Sequence, residues 1–118
     1  MDVALRNTLV KGAASDIGHI LENIVYLELL RRGERVFVGE LEDGEVDFVT
    51  VGPEGTVYYQ VAATTLDEEV LKRELAPLQR ISDNYPKLLL TLDEVFATAD
   101  YDGIQKRNVL DWLLEDPG

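Results

Sequence analysis

An aspartate and a glutamine interrupt two apolar stretches of the chain that are otherwise typical of β-strands. Asp47 lies in the run Val-Asp-Phe-Val, and Gln60 lies further on in the run Tyr-Tyr-Gln-Val. Carboxylates are depleted from strands and are costly to bury without a partner. Asp47 is therefore either a solvent-facing residue or a ligand of a metal ion. If the two strands pair, the side chains of Asp47 and Gln60 can lie on one face of the sheet.

A glutamate in a helix-like run would add a second carboxylate to such a site. Glu22 lies between the apolar residues Leu21 and Ile24, and the alternative interpretation is an ordinary solvated glutamate. His19 lies one helical turn earlier and is either a packing histidine or a residue beside the site. It is the only histidine, and the chain has no cysteine. Thiolate zinc sites and sites with several histidine ligands are therefore excluded.

The elements that would position these residues follow from the apolar periodicity. Helical spacing predicts a helix over residues 16–32, which Ser15 or Asp16 caps and Gly33 ends. A helical or irregular segment over residues 2–12 precedes it. Three strands follow, over 34–39, 45–51 and 56–63, with turns at Asp43-Gly44 and 52–55. A second helix is predicted over 66–81, capped by Thr64 or Thr65 and interrupted by Pro77. The remaining predicted elements are a strand over 87–92, a polar loop over 93–102, an edge strand over 104–109 and a helix over 110–114. The order αβββαβ, followed by a strand and a short helix, predicts an α/β fold with a central mixed sheet flanked by helices.

Length and composition indicate one domain over residues 1–118 without a membrane segment. Apolar residues make up 46% of the sequence, which is enough for a packed core. We find neither a signal peptide nor an apolar run of the ~20 residues that a membrane span needs, and we expect a cytoplasmic protein. The formal net charge of −12 repels polyanions and argues against a free-standing nucleic-acid-binding protein. A local basic groove or a bound metal would offset this repulsion.

A helix glutamate, Glu22, a strand aspartate, Asp47, and a glutamine on the next strand, Gln60, resemble the pattern of the PD-(D/E)XK nuclease superfamily, which has the restriction endonuclease-like fold and includes Holliday-junction resolvases. More closely, residues from about 5 to 114 resemble the C-terminal domain of a prokaryotic AAA+ ATPase family of unknown function. The matching stretches include Leu-Glu-Asn-Ile-Val-Tyr around Glu22, Glu-Val-Asp-Phe-Val around Asp47, Tyr-Gln-Val around Gln60, and Asp-Asn-Tyr-Pro-Lys at 83–87. The resemblance implies an N-terminal ATPase module as a partner in the full-length protein. The chain itself has no G-x-x-x-x-G-K-[ST] motif for binding nucleotide phosphates.

The resemblance also assigns roles to individual residues. It implies that Glu22, Asp47 and Gln60 form the catalytic site, in which Glu22 and Asp47 would bind Mg²⁺ or Mn²⁺. Ala62 occupies the position of the superfamily's lysine, so the group that assists the attacking water is missing. Basic side chains on the second predicted helix are candidate substitutes for that lysine: Lys72, Arg73 and Arg80.

Two functions are compatible with this pattern. The first is a degenerate nuclease-fold domain that acts as a recognition or assembly module of an AAA+ ATPase. The second is a weak metal-dependent nuclease that acts on the phosphodiesters of DNA or RNA. Ala62 and the net charge of −12 favour the first function, whereas the retained Glu22 and Asp47 favour the second.

Overall fold

A mixed β-sheet forms the centre of the molecule in the computed structural model, which describes residues 3–41, 44–53 and 55–115. In chain order the elements are α1 (Val3–Arg31), β1 (Arg35–Leu41), β2 (Gly44–Gly52), β3 (Gly55–Val61), α2 (Glu68–Gln79), β4 (Lys87–Thr91), β5 (Ala99–Tyr101), β6 (Ile104–Asn108) and α3 (Val109–Leu114). The six strands form one sheet in the order β1-β2-β3-β4-β6-β5. The predicted α/β class, with a central mixed sheet flanked by helices, is confirmed.

The sheet combines an antiparallel meander with parallel neighbours. β1 pairs with β2, and β2 with β3, in antiparallel register, as the sequence predicted. β4 then lies parallel to β3, and β6 lies parallel to β4. Parallel pairs need a crossover connection because the chain must return to the same end of the sheet, and α2 provides that crossover between β3 and β4. Asp43 and Glu54, from the two predicted turns of the meander, lie outside the described residues.

Helices cover both faces of the sheet and enclose two apolar clusters. On one face, α1 and α3 supply most of the buried side chains: Leu21, Val25, Leu29, Val109 and Trp112. On the other face, Leu75 and Leu78 of α2 pack with Leu89 of β4. The neighbouring Leu90 belongs to the cluster beneath α1. β4 is therefore buried on both sides, which explains why its sequence is a continuous apolar run.

The first helix is much longer than predicted. It begins at Val3 rather than at residue 16, so Ser15 and Asp16 lie inside it and the predicted N-cap is wrong. No proline interrupts residues 3–15, and nothing else in that stretch stops a helix. The predicted end is right: Gly33 has a positive φ of 82°, and the Glu34 N–H donates to the Leu29 carbonyl at 3.1 Å. No helix in the described ranges is long and apolar enough to cross a membrane.

A short hairpin replaces part of the predicted polar loop over 93–102. β5 pairs antiparallel with β6, so β5 lies at the sheet edge and the edge position predicted for β6 is wrong. Asp102 and Gly103 form the turn, with φ values of 54° and 94°. Positive φ at both central residues is the conformation that Asp-Gly favours in two-residue hairpins. The Asp-Gly pair was thus the sequence signal for this hairpin.

The second helix starts and ends inside its predicted range. Asp67 is the N-cap, and its carboxylate accepts a hydrogen bond from the Glu69 N–H at 2.8 Å. The predicted caps Thr64 and Thr65 are wrong, because both residues bind Asp93 instead. α2 runs through Pro77 and ends two residues later at Gln79, so Pro77 does not split the helix as predicted. The missing proline N–H and the bulk of its ring affect the preceding turn, so the two residues after Pro77 remain helical.

A buried ion pair connects β6 with Asp93, which follows β4 and also accepts hydrogen bonds from the segment that leads into α2. Lys106 Nζ lies 2.8 Å from Asp93 Oδ2, and the two side chains are 1% and 3% exposed. Burial alone would raise the pKa of Asp93, but hydrogen bonds from Lys106, Thr64 and Thr65 outweigh it and lower that pKa. Asn108 also donates to the Asp93 carbonyl at 3.1 Å. The pair therefore holds the end of β3 against β4 and β6.

We expect Asp93→Asn to destabilise the fold by about 3 kcal/mol, because it leaves the Lys106 ammonium buried without its counter-charge. The measurement is urea unfolding followed by fluorescence of Trp112, the only tryptophan. The pKa of Asp93 is lower in the folded chain than in the unfolded chain. The stabilisation is therefore complete above about pH 4 and is lost as the pH falls below that value. Glu94→Gln removes the adjacent exposed carboxylate and is the control; equal stabilities of the two variants would contradict this role of Asp93.

Candidate functional site

Asp47 and Gln60 lie where strands β2 and β3 separate. The backbone ladder between these strands runs from the Gly52–Gly55 pair to the Phe48–Tyr59 pair and ends there. Beyond the Phe48–Tyr59 pair, hydrogen bonds from side chains connect the two strands. The Asp47 N–H donates to Gln60 Oε1 at 2.7 Å, and the Val61 N–H donates to Asp47 Oδ2 at 2.8 Å. The two polar side chains thus satisfy backbone donors that would otherwise lack partners within the sheet.

Gln60 also connects the sheet to α2. Its side chain is buried, with the residue 4% exposed. Its Nε2 donates to the Glu74 carbonyl at 3.1 Å and lies 3.4 Å from Glu74 Oε2. Both ends of the Gln60 amide are therefore engaged, and one side chain joins β2, β3 and α2. This network lies on the α2 side of the structure, next to the carboxyl end of β3.

A cleft of about 550 Å³ opens at the carboxyl end of β3, between α1 and α2. Its floor is apolar, and its rim carries ionisable side chains from both helices. The lining residues that matter for the chemistry are Glu22 of α1, Glu74 and Arg73 of α2, and Ala62 after β3. The cleft can therefore offer two carboxylates and one guanidinium to a bound group.

The electrostatics of the cleft centre on Glu74. Burial raises the pKa of Glu74, and the nearby charge of Glu22 raises it further, whereas Arg73 opposes the shift. On α1, His19 Nδ1 lies 3.6 Å from Glu22 Oε2, and the two side chains are 74% and 36% exposed, respectively. An exposed pair of this kind contributes little to stability. Glu74 is thus the cleft carboxylate whose ionisation the fold opposes.

The structure places the predicted site residues at different depths. Glu22, His19, Ala62 and Arg73 line the cleft. Gln60 lies behind it and reaches it through its contacts with Glu74. Asp47 binds the N–H of Val61, which itself lines the cleft. The other two candidate cations of the second helix, Lys72 and Arg80, are exposed and are not among the residues that line it.

Glu74 was not predicted as a site residue, although the sequence carried a signal for it. Glu74 lies three residues after Leu71 and four before Leu78, both of which belong to the apolar side of α2. Residues at these spacings share a helix face. A glutamate on the buried side of an amphipathic helix needs a partner, and Gln60 provides it.

The donor set does not match the coordination shell that Mg²⁺ or Mn²⁺ requires. Both metals favour oxygen ligands in octahedral geometry, but Gln60 Oε1 and Asp47 Oδ2 already accept backbone hydrogen bonds. Among the residues that the structure describes, no group of three or more His, Asp or Glu side chains is placed to hold a metal ion. The assignment of Glu22 and Asp47 as metal ligands stays a prediction, and no chemical step is derived through a metal.

Comparison with known proteins finds one informative relative. A protein of Haemophilus influenzae (strain Rd), described as an uncharacterized protein, is 36% identical to this chain over 115 residues. The match covers 98% of this chain but only 28% of the relative, so the chain spans less than a third of that protein's length. No family model matches the chain. No solved structure matches it either.

We expect Gln60→Leu to destabilise the fold by about 1–3 kcal/mol, because it removes the acceptor of the Asp47 N–H and the donor to Glu74. Urea unfolding provides the measurement. Gln105→Leu is the matched control, since Gln105 is an exposed glutamine on a strand; we expect its effect to stay within about 0.5 kcal/mol. Equal effects of the two substitutions would show that the Gln60 network is dispensable.

We expect Glu74→Gln to raise the stability of the fold slightly at neutral pH, by less than about 1 kcal/mol. The pKa of Glu74 is raised in the folded chain, so the folded state binds this proton more tightly than the unfolded state. The free energy of unfolding therefore falls as the pH rises above the ordinary pKa of a glutamate side chain. The advantage of Glu74→Gln should disappear below about pH 4. Glu69→Gln, at an exposed position in the first turn of α2, should give no gain at either pH.

Proposed function

We propose that this chain is a restriction endonuclease-like domain that has lost catalysis and acts in the cytoplasm as a recognition or assembly module of a larger AAA+ ATPase. The observation that carries the proposal is the engagement of Asp47 and Gln60 in hydrogen bonds that hold the strands together. A side chain that satisfies a buried backbone donor is a poor candidate for a ligand that must exchange with substrate and water. The site's polar groups therefore serve the fold.

The residues that line the cleft also support the proposal. Ala62 lines it at the position where the nuclease superfamily, which the chain resembles, has lysine. A methyl group can neither position nor activate a water molecule. The remaining rim, with two carboxylates and Arg73, suits polar contacts with a partner. The floor at Val61, Ala62 and Ala63 suits apolar contacts with the same partner.

The relative supports a role within a larger protein. This chain corresponds to 28% of the Haemophilus influenzae protein, so in that protein the matching region is accompanied by further sequence. A binding module gains from such a linkage, because tethering raises the effective concentration of its neighbours. In the family that the chain resembles, that neighbour is an N-terminal ATPase module.

A weak metal-dependent nuclease is the second candidate. It is favoured by the cleft that brings Glu22 and Glu74 together beside Arg73. In this alternative, Glu74 takes the role that sequence analysis gave to Gln60, and Arg73 replaces the missing lysine. The phosphodiesters of DNA or RNA would be its substrates.

We expect the purified chain to cleave neither junction, flap or single-stranded DNA nor RNA in the presence of Mg²⁺ or Mn²⁺. The loss of one catalytic proton-transfer group costs about 10²–10⁴-fold in rate, and the net charge of −12 opposes polyanion binding. The measurement is product formation compared with Asp47→Asn, which removes the charge but keeps an oxygen that can accept from the Val61 N–H. Metal-dependent cleavage that disappears in both Asp47→Asn and Glu22→Gln would favour the nuclease instead.

The reverse substitution, Ala62→Lys, sharpens the test. It places an ammonium at the position where the resembled family has its lysine, in a cleft with room for the side chain. We expect no gain of cleavage, since Gln60 Oε1 remains hydrogen-bonded to Asp47. A gain of metal-dependent cleavage in Ala62→Lys would show instead that one substitution alone had silenced a competent nuclease site.

A further inference from the structure

An apolar stripe runs along α1 on the side that the sheet leaves uncovered. Its members are between 39% and 63% exposed: Ile17, Ile20, Ile24, Leu27 and Leu30. The core face of the same helix carries Leu21, Val25 and Leu29. α1 is therefore apolar around most of its circumference over this stretch, and a helix of that kind is normally covered on more than one side.

The spacing of the stripe is that of a helix–helix seam. Ile17, Ile20, Ile24 and Leu27 follow one another at intervals of three, four and three residues. This is the heptad spacing of a coiled coil, with β-branched isoleucine at the first position and leucine or isoleucine at the fourth. Over these residues the seam is about 15 Å long at 1.5 Å per residue. The stripe thus fits a second helix rather than a strand or a flat surface.

The charge of α1 identifies a second copy of this chain as a suitable partner. The part of α1 that carries the stripe, residues 16–31, contains one basic residue, Arg31, and three acidic residues, Asp16, Glu22 and Glu28. Opposite charges therefore lie at the two ends of the stripe, with Asp16 at its start and Arg31 at its end. A second α1 helix that runs in the opposite direction brings each of these two residues next to its opposite charge.

The order of residues along the stripe selects an antiparallel arrangement. With a twofold axis between Asn23 and Ile24, Ile20 meets Leu27 of the second copy, and Ile17 meets Leu30 in the same way. The same alignment places Asp16 opposite Arg31, which also pairs with Glu28 of its own helix. A parallel alignment would place Asp16 opposite Asp16 and Arg31 opposite Arg31. The twofold rotation therefore brings apolar residues next to apolar residues and Asp16 next to Arg31, as an isologous interface requires.

We propose that the exposed stripe of α1 is a homodimer interface in which two copies pack their α1 helices antiparallel. The stripe is small compared with permanent interfaces, which bury about 1,200–2,000 Å² or more, so dimerisation depends on protein concentration. Glu22 follows Ile20 by two residues, or about 200° around the helix, so it points away from the interface.

Sedimentation equilibrium of the 118-residue chain over a wide concentration range tests the interface. We expect a reversible monomer–dimer equilibrium that Ile20→Lys weakens by about tenfold or more, as for other central interface residues. Leu66→Lys is the matched control, because Leu66 is 54% exposed and Ile20 is 57% exposed, and Leu66 lies outside the stripe, just before α2. Circular dichroism of each variant verifies that it is folded.

Cysteine cross-linking tests the orientation, since the natural chain has no cysteine. Residues 20 and 27 of one helix are about 10 Å apart, too far for a disulfide within a chain. In the antiparallel dimer, the double variant Ile20→Cys with Leu27→Cys therefore forms intermolecular disulfides on mild oxidation, whereas each single variant forms few. Arg31→Asp should weaken the dimer, and Asp16→Arg added to it should restore the dimer.

Three results would overturn the proposal. The first is a chain that stays monomeric at every concentration, which would leave the stripe to another partner. The second is a dimer that Ile20→Lys and Leu66→Lys affect equally. The third is efficient disulfide formation by the single variants, which would indicate a parallel pair.

Discussion

The separation of β2 and β3 is the constraint on which the rest of the site depends. An antiparallel ladder satisfies backbone donors only as long as its two strands stay side by side. Here the ladder ends at Phe48 and Tyr59, and β3 continues into the sheet interior next to β4. Asp47 and Gln60 replace the missing ladder bonds with side-chain acceptors. Without them, buried N–H groups would lack partners, at a cost of about 1–3 kcal/mol each.

The same constraint determines what these residues can do chemically. A carboxylate and an amide that hold two strands together are positioned by the backbone, which is the rigidity that a catalytic site needs. Gln60 Oε1 and Asp47 Oδ2 each already accept a backbone hydrogen bond, however, and Ala62 provides no cation beside them. The cleft next to them keeps Glu22, Glu74 and Arg73 at its rim. This arrangement supports a polar binding surface more directly than a metal centre.

A second buried polar network stabilises the opposite side of the same junction. Asp93 receives hydrogen bonds from the segment between β3 and α2 and an ion pair from Lys106. The chain is thus held on both sides of the cleft, by Gln60 to α2 and by Asp93 to β6. The cleft floor at Ala62 and Ala63 lies between these two networks. We infer that the shape of the cleft is largely preformed, which lowers the entropy that a partner must lose on binding.

The sequence by itself determined the order of the helices and strands except for β5, the antiparallel meander, the doubly covered β4, and the helix end at Gly33. These features follow from apolar periodicity and turn residues, which are local properties of the chain. It also singled out Asp47 and Gln60, because polar residues inside apolar strands need an explanation. Only the tertiary structure decided what these residues contact, since their partners lie thirteen or fourteen residues away in the chain. The contact of Glu74 with Gln60 and the pairing of Asp93 with Lys106 likewise depend on how α2 and β6 pack, and such contacts between distant elements have no local signature.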